Sequence, residues 1–428
     1  MRTSARGLGW LGKARSAGRI AADDSGLALL TVVGVAMIVF ILCMAVLTLV
    51  TYQTTAAGQQ ESRTKALHTA DAGINAYLYE LRRNDHYYSS NPTLGPVTLS
   101  DGSWVVTATP PTTTTPLILR AVGTIPGRKA SRTVVASVRF PTFADYMFLT
   151  DATINIGADA TIEGKVRANG AITNAGHITG SAISGDRVTN TGQIDGGYKQ
   201  FQPTVDFGGV VSDLTAIRAA AQAAGTYFGT ASGATGYRAM FSPSGTSIIV
   251  DKVNANSSGI TVVSNVGTFA VPSSGAFYFD DEVWVAGAYD AMCTIGCSTN
   301  IYIPGNITLR NANDPFTLGL ISDTSVIVKY GYTGFPTDCT IQACMVARQG
   351  SVKADLDTYP NTLRHSITIK GSMAYRQFGG FALVSGGRDV AGFDERTYSY
   401  DQRADTNPPP MFPVVRDGTL KVATWIDQ

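Results

Sequence analysis

The chain has 428 residues, of which 44% are hydrophobic, so it is long enough and apolar enough to build more than one folded core. Its 33 Lys and Arg against 32 Asp and Glu give a net charge of +1, which excludes an overall field that would recruit nucleic acid or another charged polymer. Only 15% of the residues are charged, and Gly occurs 45 times. This composition excludes a disordered chain and is more typical of extracellular β architecture than of a cytosolic enzyme.

The first predicted element is an unbroken apolar segment at residues 27–50. At about 24 residues it exceeds the roughly 20 that a helix needs to cross a bilayer. Five basic residues precede it and none follows before Arg63: Arg2, Arg6, Lys13, Arg15 and Arg19. The positive-inside rule therefore predicts a single-pass membrane protein with a cytoplasmic N-terminus and an extracytoplasmic body. A cleaved secretory signal is the alternative, although its apolar core is usually about 7 to 15 residues long.

The apolar segment runs directly into a second helical pattern, because no proline occurs before Pro92. Apolar residues recur in this second part at three- and four-residue spacing: Ala66, Ala70, Ile74, Tyr77, Leu78 and Leu81. We predict one continuous helix over residues 27–83. Its second half must then pack against a folded body or against neighbouring copies of the helix.

Three β-rich runs follow a polar break and predict a small antiparallel sheet within residues 84–140; the runs are 104–107, 117–122 and 133–140. A long helix that packs on such a sheet forms an α+β unit. The sheet would cover the apolar stripe of the helix.

From residue 154 the pattern changes to branched aliphatic residues that recur about every four to six positions among Gly, Asn, Thr, Ser and Ala. The repeating positions are Ile154, Ile156, Ile162, Val166, Ile172, Ile178, Ile183, Val188 and Ile194. This spacing predicts a β-solenoid, in which aliphatic residues point inward and small or polar residues turn the corners. A β-sandwich with short strands is the alternative.

We expect the solenoid-like body to span residues 141–428, with a short helical insertion near residues 214–224. Ser212 or Asp213 would cap this helix and Gly225 would end it. The predicted fold class is therefore mainly β, with a long N-terminal helix, a small antiparallel sheet and a parallel β-solenoid.

Five cysteines are present, and Cys43 lies inside the apolar segment. The other four form two close pairs, Cys293 with Cys297 and Cys339 with Cys344. In an oxidising compartment this spacing predicts one local disulfide within each pair. A four-cysteine zinc site is the alternative, but its arms usually have two intervening residues. We expect no metal and no cofactor.

No motif in the sequence predicts an active site. The histidines are scattered and none has the spacing of a metal site or of a catalytic triad: His68, His86, His177 and His365. Asp280 and Asp281 could serve glycoside hydrolysis only if both faced one cleft, and neighbours on a strand point to opposite faces. We predict that the chain has no catalytic residues.

The boundary of the apolar segment, DDSG followed by LALL, resembles a class III prepilin leader. The resemblance implies that residues 1–26 are a cytoplasmic leader and that a prepilin peptidase cuts between Gly26 and Leu27. A typical pilin has a glutamate at the fifth position of the mature chain, where this sequence has Thr31. That departure is seen in minor pilins of the PilX class and in tip pseudopilins of type II secretion.

The stretch ESRTKALHTADAGINAYLYEL is similar to a helix segment of PilX-type minor pilins, with Asp71 in place of the usual glutamate. The stretches GSMAYRQFGGFALVSGG, YSYDQR and NPPPMFP resemble the closing part of large minor-pilin-like proteins that have a parallel β-helix body. The resemblance implies a type IV pilus assembly protein that acts at assembly initiation or at an adhesive tip.

The partners implied by this resemblance are other pilin subunits, the pilus assembly machinery, prepilin peptidase and membrane lipid. A surface glycan or a host ligand is a further candidate partner, and no specific nucleic acid is indicated. Two other classes remain as alternatives. One is a membrane-tethered β-helix protein that binds or degrades glycans, and the other is an envelope adhesin that does not polymerise.

Overall fold

The fold is that of a computed structural model, which describes residues 25–84, 86–111, 116–127, 130–415 and 420–427. Within these residues it has four α-helices: α1 (Ser25–Arg83), α2 (Tyr87–Ser90), α3 (Val210–Ala224) and α4 (Arg403–Thr406). Residues 1–24, which make up most of the predicted leader, lie outside the described residues.

The helix α1 is continuous over 59 residues and is about 88 Å long at 1.5 Å per residue. The prediction of one helix that passes through the end of the apolar segment is confirmed, although the helix begins at Ser25 and not at Leu27. All six members of the predicted stripe are buried: Ala66, Ala70, Ile74, Tyr77, Leu78 and Leu81. Arg82 and Arg83 lie in the last turn, where positive charge interacts favourably with the helix dipole.

Four strands follow α2: β1 (Thr93–Thr98), β2 (Ser103–Thr109), β3 (Leu117–Ile125) and β4 (Ala130–Arg139). They pair in this order as an antiparallel sheet, which confirms the three predicted β runs and adds β1. Alternate residues of the sheet, among them Val106, Leu119 and Ala136, are buried together with the stripe of α1. We call α1 from residue 62 onward, together with this sheet, the basal unit.

Two glycines allow α1 and the sheet to approach closely. A Cβ atom at Gly123 of β3 would lie 2.1 Å from the carbonyl oxygen of Ala66, so only glycine fits at that crossing. On the helix side, a Cβ atom at Gly73 would lie 3.1 Å from the ring of Trp104. The backbone of the helix therefore rests directly on the sheet.

The chain then enters the solenoid. Its first part contains β5 (Phe148–Thr150), β6 (Ile154–Ile156), β7 (Thr161–Glu163), β8 (Val166–Ala168), β9 (Ile172–Asn174), β10 (His177–Ile178), β11 (Ala182–Ser184), β12 (Val188–Asn190), β13 (Gln193–Ile194) and β14 (Tyr198–Lys199). After α3, the second part contains β15 (Tyr227–Phe228), β16 (Gly236–Phe241), β17 (Ser247–Asn256), β18 (Gly259–Ala270), β19 (Ala276–Phe279), β20 (Val283–Tyr289), β21 (Cys293–Cys297) and β22 (Ile301–Ile303). It continues with β23 (Ile307–Leu309), β24 (Leu318–Ser322), β25 (Val326–Val328), β26 (Asp338–Ala347), β27 (Val352–Ala354), β28 (Leu363–Tyr375), β29 (Ala382–Ser385) and β30 (Arg388–Tyr400). The last strand of the chain is β31 (Lys421–Asp427).

Successive coils of the solenoid stack their strands in parallel on three faces. In the first part, β5, β8, β11 and β14 form the first face, β6, β9 and β12 the second, and β7, β10 and β13 the third. Branched residues are in register on neighbouring coils, as in the column Ile154, Ile172 and Val188. This pairing confirms the predicted parallel solenoid and excludes the β-sandwich, whose strands would pair mainly antiparallel.

The coil is not wound from one end to the other in chain order. On the first face the strands lie in the order β15, β19, β21, β24, β26, β28, β5, β8, β11 and β14. The first strand of the solenoid, β5, therefore lies inside the stack between β28 and β8. The chain winds outward from β5 to β14, crosses to the opposite end and winds back from β15 to β28. Every pair of neighbouring strands on this face is parallel, including the pair of β28 with β5 that joins the two parts of the coil.

The crossing segment contains α3, which packs on the outer side of the first face. Its residues Val210, Leu214 and Ile217 are buried in one cluster with outward residues of that face such as Ala276 and Tyr278 of β19. The helix begins at Val210, earlier than predicted, so Ser212 and Asp213 lie within it and do not cap it. It ends as predicted at Gly225, which has the left-handed φ of 73° that glycine tolerates.

The strand β31 corrects the predicted domain boundary. We expected the solenoid to continue to residue 428. Instead, β31 returns to the basal unit and pairs antiparallel with β4, so that it becomes the fifth strand of the basal sheet. The solenoid is therefore an insertion between two neighbouring strands of the basal sheet. Sequence reasoning missed this because strand pairing between residues so far apart in the chain leaves no local pattern.

Candidate functional site

The upper half of α1, residues 29–50, presents apolar side chains around its whole circumference. Leu30 is 73% exposed and Phe40 is 66% exposed. The other large apolar side chains from Leu29 to Val50 are exposed as well. None of the described residues packs against this segment. It is long and apolar enough to cross a membrane by length and composition. Because exposing apolar surface to water costs about 25 cal/mol per Å², this half of the helix needs a non-aqueous environment or partner helices.

The hydroxyl groups in and just after this segment are satisfied within the helix. The Oγ1 of Thr48 donates to the carbonyl oxygens of Met44 and Ala45, both at 2.8 Å. The Oγ1 of Thr51 donates to the carbonyl oxygen of Leu47 at 3.0 Å. These bonds to carbonyl oxygens of the preceding turn satisfy the hydroxyl donors, so the donors need no partner outside the helix. These threonines are therefore compatible with lipid or with a packed helical bundle.

The predicted processing residues, Gly26 and Leu27, lie in the first turn of α1. Thr31, at the fifth position after the predicted cut, lies one turn further along the same helix. The basic residues of the leader fall outside the described residues. Cleavage between Gly26 and Leu27 therefore stays a prediction.

The two predicted disulfides are not supported by this fold, in which all four cysteines are free thiols. Cys293 and Cys297 are the first and last residues of β21, and Cys339 and Cys344 both lie within β26. Residues four or five positions apart on a strand have Cα atoms about 13 to 17 Å apart, whereas a disulfide needs about 4.4 to 6.8 Å. The prediction assumed that each pair closed a small loop. The residues between the two cysteines of each pair instead belong to an extended strand that pairs with neighbouring strands.

These four cysteines act as small buried core residues. Burial raises the pKa of the Cys293 thiol to about 12, and burial has the same effect on Cys344. The Sγ of Cys297 donates to the carbonyl oxygen of Asp281 at 3.2 Å. Because the thiolate is the reactive form, the environment of these thiols disfavours nucleophilic chemistry.

The acidic pair Asp280 and Asp281 does not converge on one site. The carboxylate of Asp280 accepts from Arg218 at 2.7 Å and from the hydroxyl group of Tyr227. The carboxylate of Asp281 accepts from the backbone N–H groups of Ala231 at 3.2 Å and of Glu282 at 2.9 Å. Each carboxylate has its own structural partners, as expected for solvated ends of strands.

A row of paired charges that sequence reasoning missed follows the corner after the first face. Arg348 binds Asp323 with its Nε and with its Nη2, the latter at 3.0 Å. One coil further, the Nε of Arg376 lies 3.2 Å from Asp151, which also accepts from Asn169 at 2.6 Å. The signal in the sequence is a charged residue directly after β5, β24, β26 and β28, but the pairing depends on the register of distant coils. The geometry is that of an ion-pair ladder that stabilises the corner.

The histidines lie far apart along the chain, and two of them pair with acids on neighbouring coils. The Nε2 of His177 lies 3.0 Å from Asp195, and the Nδ1 of His365 lies 2.6 Å from Asp338. The hydrogen bond and the charge of Asp338 raise the pKa of His365 above its ordinary value. Within the part of the chain that the structure describes, no three His, Cys, Asp or Glu side chains are grouped to hold a metal ion.

A polar groove of about 710 Å³ lies between α1 and the start of β4, away from the solenoid. Its lining is Thr54, Thr55, Gly58, Gln59, Ser62, Arg63, Ala130 and Ser131. Thr54 and Thr55 donate to carbonyl oxygens of their own helix, so their hydroxyl groups are used locally. The groove lies where α1 passes from the apolar segment into the basal unit.

No protein-family model matches the chain, and no curated protein matches it. Among solved structures, the crystal structure of the competence-associated pilin ComZ from Thermus thermophilus is similar at 14% sequence identity, over 86% of this chain and 98% of that chain, with a TM-score of 0.31. A likeness at that identity and TM-score carries no argument about fold or function.

Proposed function

We propose that the protein is a minor-pilin-like structural subunit of a type IV pilus or a related filament. The observation that carries this proposal is the continuity of α1. One continuous helix has an upper half, residues 29–50, that is apolar on every side. Its lower half has a single apolar stripe that is buried in the basal unit. A subunit built in this way can be stored in a membrane and then added to a filament without refolding its body.

The proposed processing follows from the resemblance of the leader. Prepilin peptidase cuts between Gly26 and Leu27 on the cytoplasmic face, and the apolar segment stays in the mature protein. The basic N-terminus is cytoplasmic, and the basal unit and the solenoid lie outside the cytoplasm or on the cell surface.

Assembly moves the upper half of α1 from lipid into a bundle of neighbouring helices. Because lipid tails are as apolar as the helix surface, the hydrophobic effect does not drive this step, and side-chain packing between helices replaces the lipid contacts. Thr31 provides no carboxylate to pair with the N-terminal amine of a neighbour. A subunit that lacks this charge suits a position that is occupied once, at initiation or at the tip.

The bulk of the inserted solenoid also favours the tip, because a body of this size repeats poorly along a thin filament. There the subunit contacts other pilin subunits and the assembly machinery, and its solenoid is free to meet a surface glycan or a host ligand. We propose that it is not an enzyme. The acids noted above, Asp280, Asp281, Asp323 and Asp151, each have structural partners, which supports this view.

The experiment follows the full chain in cells that assemble filaments, using antibody detection in sheared filaments and in membranes. Wild-type protein is expected in the sheared fraction at the mass of the processed chain. The variant Gly26→Phe should block cleavage, stay in the membrane at the full mass and be absent from the sheared fraction.

The matched control is Gly34→Ala, a small change further along the same helix where a Cβ atom would meet no other atom within 4 Å. It should reach the sheared fraction like the wild type. If wild-type protein accumulates in the membrane but never enters sheared filaments, the proposal fails and the singly anchored adhesin takes its place.

A further inference from the structure

The two chain crossings between the basal unit and the solenoid lie side by side. The strand β4 leads into the solenoid at Arg139, and β31 leaves it at Lys421. The register of the antiparallel pair places Lys421 directly opposite Arg139. Like charges at opposite positions of neighbouring strands destabilise the pairing, so this end of the β4–β31 ladder is unfavourable unless anions compensate it.

Two carboxylates of the inserted body provide that compensation. Arg139 makes a two-pronged contact with Asp145, with Nη1 to Oδ2 at 2.8 Å and Nη2 to Oδ1 at 2.5 Å. The Nζ of Lys421 lies 3.2 Å from Oδ1 of Asp145 and 2.5 Å from Oδ1 of Asp405. The Nη2 of Arg139 also donates to the carbonyl oxygen of Asp405 at 2.9 Å. We call these four residues the junction cluster.

Asp145 is buried and Arg139 is largely buried, whereas Lys421 and Asp405 are 31% and 39% exposed, so the pair of Asp145 with Arg139 is the most sensitive part of the cluster. The side chain of Asp145 is 4% exposed and that of Arg139 is 11% exposed. Asp145 also accepts from the backbone N–H of Thr142 at 2.6 Å, which fixes the orientation of its carboxylate. Removing one partner of a buried pair leaves an uncompensated charge and costs far more than losing an exposed pair.

Both carboxylates are held in place by the folded solenoid. Asp145 closes the short turn Phe143–Asp145, whose Phe143 and Ala144 are buried against the first face. Asp405 lies in α4 beside Ala404, which is buried in the same cluster, and the hydroxyl group of Tyr400 donates to its Oδ1 at 3.1 Å. The anions therefore reach Arg139 and Lys421 only when the first and last segments of the inserted chain are packed together on the solenoid.

We propose that the junction cluster couples closure of the basal sheet to folding of the solenoid. With the solenoid folded, Asp145 and Asp405 neutralise the facing cations and β31 pairs with β4. Without it, Lys421 and Arg139 repel each other and the edge of β4 stays open. If the protein is the filament subunit proposed above, only a chain whose solenoid is complete and folded presents a closed basal sheet to its neighbours.

Amide hydrogen exchange on the purified full chain in detergent micelles tests the coupling without any filament. In the double variant Asp145→Asn with Asp405→Asn, exchange within β31 and the paired part of β4 should accelerate roughly 5- to 150-fold, the usual range for coupled sites. Exchange in β21 and β24, far from the junction, should not change. Adding Lys421→Met removes one of the two facing cations and should restore slow exchange in β4.

The matched control is Asp357→Asn, which removes an exposed ion pair with Lys353 elsewhere in the solenoid and should leave β31 unchanged. The single variant Asp405→Asn repeats the test at the more exposed carboxylate. Unchanged exchange in β31, or accelerated exchange that Lys421→Met does not restore, overturns the proposal. Failure of the filament proposal would appear instead in the shearing experiment, because the exchange measurement uses no filament.

Discussion

The two halves of α1 are equally helical, yet they bury apolar surface in opposite ways. The upper half is apolar on every side and is exposed along residues 29–50, whereas the lower half carries one apolar stripe that is buried against the basal sheet. A stripe is satisfied by one packing partner in water. A helix that is apolar all round is satisfied only by lipid or by several neighbouring helices.

This contrast shows that one helix provides both an exposed apolar segment and a core element, and that the helix continues without a break from one to the other. No proline and no break in the hydrogen-bonding pattern separates the halves. Force or displacement applied to the upper half is therefore transmitted directly to the basal sheet. The mutations below test whether the two halves depend on different surroundings.

The largest effect is expected for Gly123→Val, which would place a side chain where the backbone of α1 crosses β3. The carbonyl oxygen of Ala66 lies 2.1 Å from the Cβ position, and a backbone atom cannot move aside as a flexible side chain can. We expect the lower half of α1 to detach from the sheet, measured as limited proteolysis between residues 62 and 83. Gly305→Val, where a Cβ atom meets nothing within 4 Å, should stay as resistant as the wild type.

The next effect is expected for Ile74→Ala in the buried stripe. Ile74 has no exposed surface, so the change should lower the free energy of unfolding of the basal unit by about 2 to 5 kcal/mol. Denaturant unfolding of the full chain in micelles measures this. Tyr79→Ala, at a residue that is 59% exposed on the same half, should change it by no more than about 0.5 kcal/mol. Equal losses in the two variants would show that the stripe is not the packed face.

A third change, Phe40→Arg, addresses the upper half. A charged residue near the centre of a spanning helix costs about 2.5 to 3.5 kcal/mol of insertion free energy. We expect a smaller membrane-inserted fraction, measured by alkaline extraction, while the stability of the basal unit stays unchanged. Phe40→Leu should insert normally. Loss of basal stability in the arginine variant would contradict the separation of the two halves.

The smallest effect is expected for Asp71→Ala, which removes the contact between α1 and β31. The Nε1 of Trp425 donates to Asp71 at 3.1 Å on a partly exposed surface, and a hydrogen bond of this kind contributes about 0.5 to 1.5 kcal/mol. Denaturant unfolding should show a loss in that range. Asp101→Ala, at an exposed turn of the same unit, is the control and should show none.

The sequence was most informative where the pattern is local. The stripe from Ala66 to Leu81 was predicted correctly because helical periodicity depends only on neighbouring residues, and the same holds for the ladder that begins at Ile154. The end of α3 at Gly225 was predicted for the same reason. The exposed apolar half of α1, residues 29–50, could also be recognised from hydropathy alone.

The remaining features depend on which distant segments meet. Nothing near Lys421 indicates that it lies opposite Arg139, and nothing near Phe148 indicates that β5 lies between β28 and β8. The cysteine pairs were misread because close spacing was taken as a loop, whereas Cys293 and Cys297 are the two ends of one strand. Register and insertion topology are properties of the whole fold, so a single sequence does not reveal them.

We propose that the upper half of α1 is retained in the mature protein as an assembly segment. The most direct test is the intact mass and the N-terminal residue of the native protein purified from its own cells. We predict a chain that has lost residues 1–26 and begins at Leu27. A protein that begins at Met1, or one that begins after Val50, would contradict it.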